Sequence, residues 1–282
     1  MSADLAAIIT KQSNTSFYFS FSLLPKPQRE AIHTVYAFCR CIDDIVDEGT
    51  DKEQQAAILT RWRMELERSW HGHSQYPILN QLSQMAQKFK IPVEHFFELI
   101  KGMEMDLGRN RYETFDDLRV YCYRVASTVG LMCTEIFGYK NQNSKLYAEN
   151  LGIALQLTNI LRDIKADAKK GRIYLPQEDM RRFGYTESDL FAYRYTPDFI
   201  RLMEFESARA RQFYTLADSY LSAEDTPRFF AAKIMETIYM RLLDRIEQSQ
   251  YNIFEKRISI SRLRKFGLAV RIWLQNKLTP VP

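Results

Sequence analysis

Helical spacing of apolar residues is the feature of this sequence that most restricts its fold. Apolar side chains recur at i, i+3, i+4 and i+7 through long stretches, and the 10 glycines and 9 prolines fall mostly between them. No β-alternating run of useful length, linker or repeat interrupts this pattern. We therefore predict one all-α domain over residues 1–282, with GRIYLPQED as an ordered loop closed by Pro176. The predicted helices run from the Pro25-Lys26-Pro27 stretch to about Glu48 and cover roughly 51–70, 78–90, 93–107, 114–137, 143–168, 196–221, 227–250 and 258–276.

Composition places the chain among globular proteins. Hydrophobic residues make up 46% of the sequence and charged residues 26%, which excludes a low-complexity or membrane-embedded chain. The net charge of +4 permits an anionic partner without requiring one. The four cysteines show no metal-binding spacing, and neither a signal peptide nor an apolar run of about eighteen residues is present. We expect a cytoplasmic protein.

The stretch YAFCRCIDDIVDEG carries a first group of carboxylates on a helix. Asp43 and Asp47 are four residues apart, so their carboxylates share one face, while Asp44 lies to one side with Arg40 one turn before it. Mg²⁺ suits such a pair because it binds a few carboxylates and completes its shell with water and substrate phosphate oxygens. Alone, the motif also fits an ordinary solvated acidic face.

The stretch LQLTNILRDIKADAKKGRIYLPQEDM carries a second polar stripe. Asn159, Asp163 and Asp167 follow one another at four-residue intervals, flanked by Gln156 and Arg162. A helix that is apolar on most sides is buried, so its polar stripe must face a cavity or lose solvation. Two acidic helices facing each other would hold magnesium and a diphosphate, with Arg162 and Arg172 on the anion. The surrounding apolar residues are Leu151, Ile153, Ala154, Leu155, Leu157, Ile160, Leu161 and Ile164.

Several blocks together resemble the squalene/phytoene synthase family. They are YAFCRCIDDIVDE, YCYRVASTVG and LGIALQLTNILRDIKADAKKGRIYLPQED, with further similarity at SNTSFYFSFSLLP, GMEMDLGRNRYETFDDL and IYMRLLDRIEQSQY. The resemblance implies an isoprenoid synthase fold, in which helices surround a central active-site cavity. It also implies head-to-head (1′-1) condensation of two prenyl diphosphates.

The resemblance also assigns roles to individual residues. It implies Mg²⁺, with Mn²⁺ as an alternative, at Asp43, Asp47, Asn159, Asp163 and Asp167. It places Tyr121 near the reacting centre, and it makes Asp43, Asp47, Asp163 and Asp167 catalytic as well. Contacts to the substrate diphosphates are implied for Tyr36, Arg40, Gln156, Arg162 and Tyr239, and for Ser13, Asn14, Thr15 and Ser16.

Within the family, SFYFSFSLLP and DDIVDEG most resemble bacterial enzymes that make presqualene diphosphate from two farnesyl diphosphates, a step for which no NADPH is expected. Phytoene synthase and dehydrosqualene synthase activities are the alternatives. Phe21 lies four residues before Pro25, where a ring would shorten the pocket for the prenyl tail. Ordinary core packing explains Phe21 equally well. Phe17, Phe21, Tyr36 and Tyr121 could stabilise an allylic cation through their ring faces.

The stretch KRISISRLRKFGLAVRIWLQNKL near the C-terminus is basic, with no acidic residue. It fits either a solvated helix face or peripheral contact with anionic lipid at the inner face of a membrane. Further expected partners are the prenyl diphosphate substrate and downstream pathway enzymes. Two other classes of protein are alternatives. The intact aspartates disfavour a helical assembly protein that has lost catalysis, and the absence of a nucleic-acid reading motif disfavours a nucleic-acid binder.

Overall fold

A computed structural model describes residues 20–49 and 51–278 of the chain. These residues are helical or connect helices, and they contain no strand. The fold is therefore all-α, as predicted. Its helices are α1 Lys26–Glu48, α2 Lys52–Ser69, α3 Pro77–Phe89, α4 Glu94–Gly108, α5 Phe115–Cys122, α6 Thr128–Phe137, α7 Asn143–Lys169, α8 Gln177–Arg182, α9 Glu187–Phe191, α10 Pro197–Tyr220, α11 Phe230–Gln248 and α12 Arg262–Leu278.

The predicted helix over 114–137 is not a continuous α-helix. A π-helical turn, Tyr123–Ser127, separates α5 from α6. Two glycines allow neighbouring helices to approach this turn. A Cβ atom on Gly152 of α7 would lie 2.5 Å from the Cα of Ser127, and one on Gly102 of α4 would lie 2.7 Å from a methyl carbon of Val125. The widened turn is therefore enclosed between α4 and α7. Short π-helical turns of this kind are frequent at functional sites.

The segment predicted as an ordered loop is anchored by its backbone, although its last residues are helical. Ile173 N donates to the carbonyl of Asn110 at 3.0 Å, and Gln177 N donates to that of Tyr112 at 2.9 Å. Helix α8 begins at Gln177, directly after Pro176. Proline suits this position because a helix start needs no intrahelical N–H donor there. The short helix α9 was also absent from the prediction.

Helix α7 lies at the centre of the molecule and packs against α5, α6, α10, α11 and the π-helical turn. Its buried Thr158 hydroxyl is 2.9 Å from the Tyr214 hydroxyl of α10. At its N-terminal end, buried Asp225 accepts hydrogen bonds from Ser144 Oγ at 2.7 Å and from Asn141 N at 2.9 Å. The position of α7 is thus fixed along its length. Among the described residues, no helix is both long and apolar enough to cross a membrane.

Replacing Gly152 with alanine tests the close approach of α7 to the π-helical turn. We expect Gly152→Ala to lower the free energy of unfolding by about 1–3 kcal/mol, because the new methyl group meets backbone atoms that cannot rotate away. Urea unfolding followed by circular dichroism measures the change. Gly267→Ala in α12 is the control: nothing lies within 4 Å of its added Cβ, so it should stabilise the protein by up to about 1 kcal/mol. Equal effects of the two substitutions would contradict the packing argument.

Candidate active site

A cavity of about 700 Å³ opens between α1, α4, the π-helical turn, α6, α7 and α11. One end is apolar and aromatic, and the other carries charged side chains. Residues 257–260 and the first turn of α12 close the charged side. The aromatic end is lined by Phe21, Phe137, Tyr147 and Phe229, and the charged end by Arg40, Asp43, Asn159, Arg162, Asp163, Arg257 and Lys265.

One face of α7 runs the length of this cavity. The side chains that line it recur every three to four residues, as expected for a single helical face. Tyr147 stands at the aromatic end, Leu151 and Leu155 follow, and Asn159 and Asp163 reach the charged end. The polar stripe predicted from sequence therefore faces a cavity over these two residues. Asp43 of α1 lines the same cavity, so the two acidic helices contribute to one site.

The carboxylates of α1 are each held by basic side chains. Arg40 donates to Asp43 at 3.2 Å and pairs with Asp44. Asp47 accepts from Lys170 Nζ at 2.9 Å and from Arg172 Nη1 at 3.1 Å. Burial and the charge of Asp47 raise the pKa of Asp43 to about 6. Burial also acts on Asp47, but its two cationic partners hold its pKa below the ordinary value.

The carboxylates of α7 follow the same pattern. Asp163 pairs with Arg162, whose Nε donates at 2.9 Å, and with Arg257, whose Nε donates at 3.0 Å. These partners outweigh burial and lower the pKa of Asp163. Burial and the charge of Asp163 raise the pKa of Asp167 to about 7. Negative charge is thus crowded along this side of the site.

Lys265 shows that positive charge is crowded at the cavity mouth as well. Burial and the neighbouring guanidinium groups of Arg162 and Arg257 lower the pKa of its ammonium group. Three cationic side chains from separate parts of the chain therefore converge on the rim. Such a group can bind an anion with several negative oxygens, such as a diphosphate.

Asp106 of α4 is a functional candidate that the sequence did not single out, as are Arg257 and Lys265 in the cavity lining. Its carboxylate accepts hydrogen bonds from the Tyr174 hydroxyl at 2.7 Å and the Tyr121 hydroxyl at 2.9 Å. The two phenol rings stack with centroids 5.1 Å apart. Burial raises the pKa of Asp106, against the hydrogen bond from Tyr174 and the charge of Arg172. The GMEMDL block that contains it was part of the family resemblance, so the signal was present but carried no separate assignment.

The predicted site residues divide into three groups. Asp47, Asp167, Arg172 and Tyr121 lie outside the cavity lining, and Asp167 and Arg172 share a small hollow beside Tyr174. Ser13, Asn14, Thr15, Ser16 and Phe17 lie outside the described residues. Those that line the cavity are Phe21, Tyr36, Arg40, Asp43, Gln156, Asn159, Arg162, Asp163 and Tyr239.

The oxygen donors at the charged end suit a hard divalent cation. Asn159 Oδ1 is closed to solvent and has no hydrogen-bond partner among the described residues, although Asn159 Nδ2 donates to Gln156 Oε1 at 3.3 Å. A cation would satisfy this oxygen and relieve the repulsion that, together with burial, raises the pKa values of Asp43 and Asp167. Among the described residues, no three His, Cys, Asp or Glu side chains are arranged to hold a metal by themselves. Magnesium tolerates such a site, because substrate phosphates and water complete its shell.

Comparison with known proteins gives consistent matches over most of the chain. A family model described as squalene/phytoene synthase matches residues 10–264. The phytoene synthase of Arthrospira platensis is 38% identical over 94% of this chain and 90% of its own length. The 15-cis-phytoene synthase of Synechococcus elongatus is 36% identical over 91% and 87%.

Solved structures agree with this assignment. A dehydrosqualene synthase in complex with a ligand superposes with a TM-score of 0.86 at 30% identity, covering 99% of this chain and 97% of the other. The squalene synthase HpnC from Alicyclobacillus acidocaldarius gives a TM-score of 0.82 at 29% identity, covering 89% and 95%. Fold, site and sequence therefore agree, and the chain belongs to the squalene/phytoene synthase family of head-to-head prenyl synthases.

Proposed function

We propose that this protein joins two farnesyl diphosphates head to head to give presqualene diphosphate and inorganic diphosphate. The observation that carries this proposal is the polarity of the cavity: carboxylates and cationic side chains meet at one end, and the rest is apolar and closed by aromatic rings. A prenyl diphosphate has the same two-part character. The cavity volume of about 700 Å³ lies within the range of small-molecule sites.

The charged end would bind the diphosphate groups. Asp43, Asn159 and Asp163 of the cavity lining would hold Mg²⁺, or Mn²⁺ in its place. Asp47 and Asp167, which lie outside the lining one helical turn further along α1 and α7, would complete the carboxylate set. When bound, the metal neutralises charge on the leaving diphosphate. The guanidinium and ammonium groups of Arg40, Arg162, Arg257 and Lys265 bind and orient the phosphate oxygens.

The apolar part of the cavity protects the reacting carbons. When the C1–O bond of one farnesyl diphosphate breaks, the electron pair leaves with the diphosphate and an allylic cation remains. The C2–C3 double bond of the second farnesyl group supplies the electrons for the new carbon–carbon bond, and loss of a proton closes the cyclopropane ring. Water would capture the cation, so side chains such as Leu151, Leu155 and Val129 serve by excluding it.

The length of the cavity favours a fifteen-carbon tail. Tyr147 and Gln156 are nine residues apart on α7, which corresponds to about 14 Å along the helix axis. An extended carbon chain advances roughly 1.2 Å per bond, so three isoprene units span roughly 15 Å and four roughly 19 Å. A tail that starts beside Gln156 therefore meets the aromatic floor after about three units.

The floor is held rigidly. The Tyr147 hydroxyl donates to Glu236 Oε2 at 2.9 Å, and Lys233 Nζ donates to Glu236 Oε1 at 2.7 Å. Tyr147 also packs edge-on against Phe229, with ring centroids 5.7 Å apart. Moving the phenol to admit a longer tail would leave a buried carboxylate short of a donor, which is costly. Phe21, 4% exposed, closes the same end.

The relatives support a second candidate, condensation of two geranylgeranyl diphosphates to phytoene. The proteins matched at 36–38% identity are phytoene synthases, and this reaction uses the same charged groups. The two candidates differ in the length of the tail that the cavity must hold. Direct measurement of the product separates them.

A product assay tests the proposed function. The protein is incubated with Mg²⁺ and farnesyl diphosphate, without and with NADPH, and in parallel with geranylgeranyl diphosphate. Mass spectrometry of the extracted products should show presqualene diphosphate from farnesyl diphosphate in the absence of NADPH. Phytoene as the main product would establish the second candidate. Dehydrosqualene as the main product would identify the protein as a dehydrosqualene synthase. No turnover of either substrate would reject an enzymatic function.

Shortening Phe21 tests the length argument. We expect Phe21→Ala to raise kcat/KM for geranylgeranyl diphosphate, relative to farnesyl diphosphate, by about tenfold or more, because the floor recedes. Phe230→Ala is the matched control, since this half-buried ring lies next to Phe229 but does not line the cavity. An unchanged ratio in both variants would identify Phe21 as ordinary core packing.

The Asp106→Asn substitution tests the hydrogen-bonded tyrosine pair. Asparagine retains the side-chain volume and one accepting oxygen but removes the negative charge near Arg172. We therefore expect activity to fall about 10–100-fold and the Mg²⁺ concentration that gives half-maximal activity to rise. Titration of activity against Mg²⁺ measures both effects. Glu104→Gln on the same helix should leave the titration unchanged. A loss of activity with an unaltered Mg²⁺ requirement would show that Asp106 does not act on metal binding.

A further inference from the structure

Helix α12 exposes an apolar stripe on the surface of the molecule. Leu263 is 85% exposed, Phe266 55%, Leu274 46% and Leu278 81%. At 3.6 residues per turn these four side chains lie on one face, with Val270 between them. Other large apolar residues that are exposed, such as Met64 and Val120, belong to separate helices. The α12 stripe, defined as Leu263, Phe266, Leu274 and Leu278, is therefore a continuous feature that runs along the whole helix.

Basic residues border the α12 stripe. Arg264 and Arg271 lie along one edge, Arg262 lies on the other, and Lys277 stands near its C-terminal end. All four are exposed. The sequence from Lys256 to Leu278 contains no acidic residue. An apolar strip between two basic borders is the pattern of a helix that lies in the interface of an anionic bilayer.

Packing fixes the direction in which this stripe points. Ala269, on the opposite face, is 1% exposed, and Leu268 and Ile272 pack against the core. Asn276 Nδ2 donates to the carbonyl of Pro227 at 3.1 Å. The helix is thus attached to the body of the protein by one face and presents the other outward. A helix that only covered the core would need no apolar side chains on its outer face.

The stripe begins beside the cavity mouth. Lys265, in the first turn of α12, lines the charged end of the cavity, and residues 257–260 just before the helix form part of the same wall. The outer face of the first turn carries Leu263 and Phe266. Contact of this face with lipid would bring the cavity mouth close to the bilayer.

We propose that the α12 stripe and its basic borders dock on the surface of a membrane that contains anionic lipid. The apolar side chains enter the boundary between headgroups and acyl chains, and the arginines bind the negative headgroups. A second copy of the chain is a poorer occupant, because two such basic borders would repel each other. A nucleic acid would match the charges but not the apolar centre.

Vesicle co-sedimentation of the full chain tests this proposal without any substrate. We expect binding to phosphatidylcholine vesicles that contain phosphatidylglycerol, little binding to phosphatidylcholine alone, and weaker binding as salt is raised. Arg264→Gln and Arg271→Gln should each weaken the partition roughly fivefold. The double variant Leu263→Ser, Phe266→Ser should weaken it roughly tenfold or more. Because no prenyl substrate is used, the result stands whether or not the proposed reaction is found.

Matched controls separate this face from general surface properties. Met64→Ser removes a side chain that is also 55% exposed, and Arg63→Gln removes an exposed arginine beside it; neither should alter vesicle binding. Thermal unfolding by circular dichroism checks that each variant is folded. Absence of vesicle binding, equal binding to neutral vesicles, or full binding by the Leu263→Ser, Phe266→Ser variant would overturn the proposal. A concentration-dependent dimer that this variant dissociates, without vesicle binding, would assign the face to a second copy.

Discussion

The pairing of crowded carboxylates with arginine and lysine at the charged end of the cavity is the interaction on which the site depends. Burial, together with repulsion between neighbouring carboxylates, raises the pKa values of Asp43 and Asp167. Asp47 and Asp163 escape it because each is bound by two cationic side chains. The charged end thus contains carboxylates that would bind a cation and basic side chains that would bind an anion. The carboxylates and the basic side chains hold one another in place.

Helix α7 places part of this charged group in the interior of the protein. Its buried apolar residues pack against α10 and α6, which leaves one polar-ended face directed into the cavity. The close approach at Gly152 brings this face up to the π-helical turn. This one helix therefore contributes to the core, to the apolar wall of the cavity and to its charged end. A shift of α7 would disturb all three.

The sequence predicted the parts of this structure that are periodic. The apolar spacing of α7 required its polar stripe to face a cavity, and Asn159 and Asp163 do so. The π-helical turn at Tyr123–Ser127 was not predicted, because the neighbours that approach it closely, Gly102 and Gly152, lie far away in sequence. Asp106 was missed for a similar reason: a single carboxylate on α4 has no spacing signal, and its tyrosine partners come from two other segments.

The ion pairs of the charged end also bear on how the proposed substrate would enter. Arg162 and Arg257 already bind Asp163, so a diphosphate that took these guanidinium groups would release a carboxylate oxygen at the same time. The released oxygen lies one helical turn from the unpartnered Oδ1 of Asn159. Under the proposed function, binding of the anion and formation of a cation site would therefore be coupled, because each would remove the charge that opposes the other. A site built in this way favours metal and diphosphate entering together over either one alone.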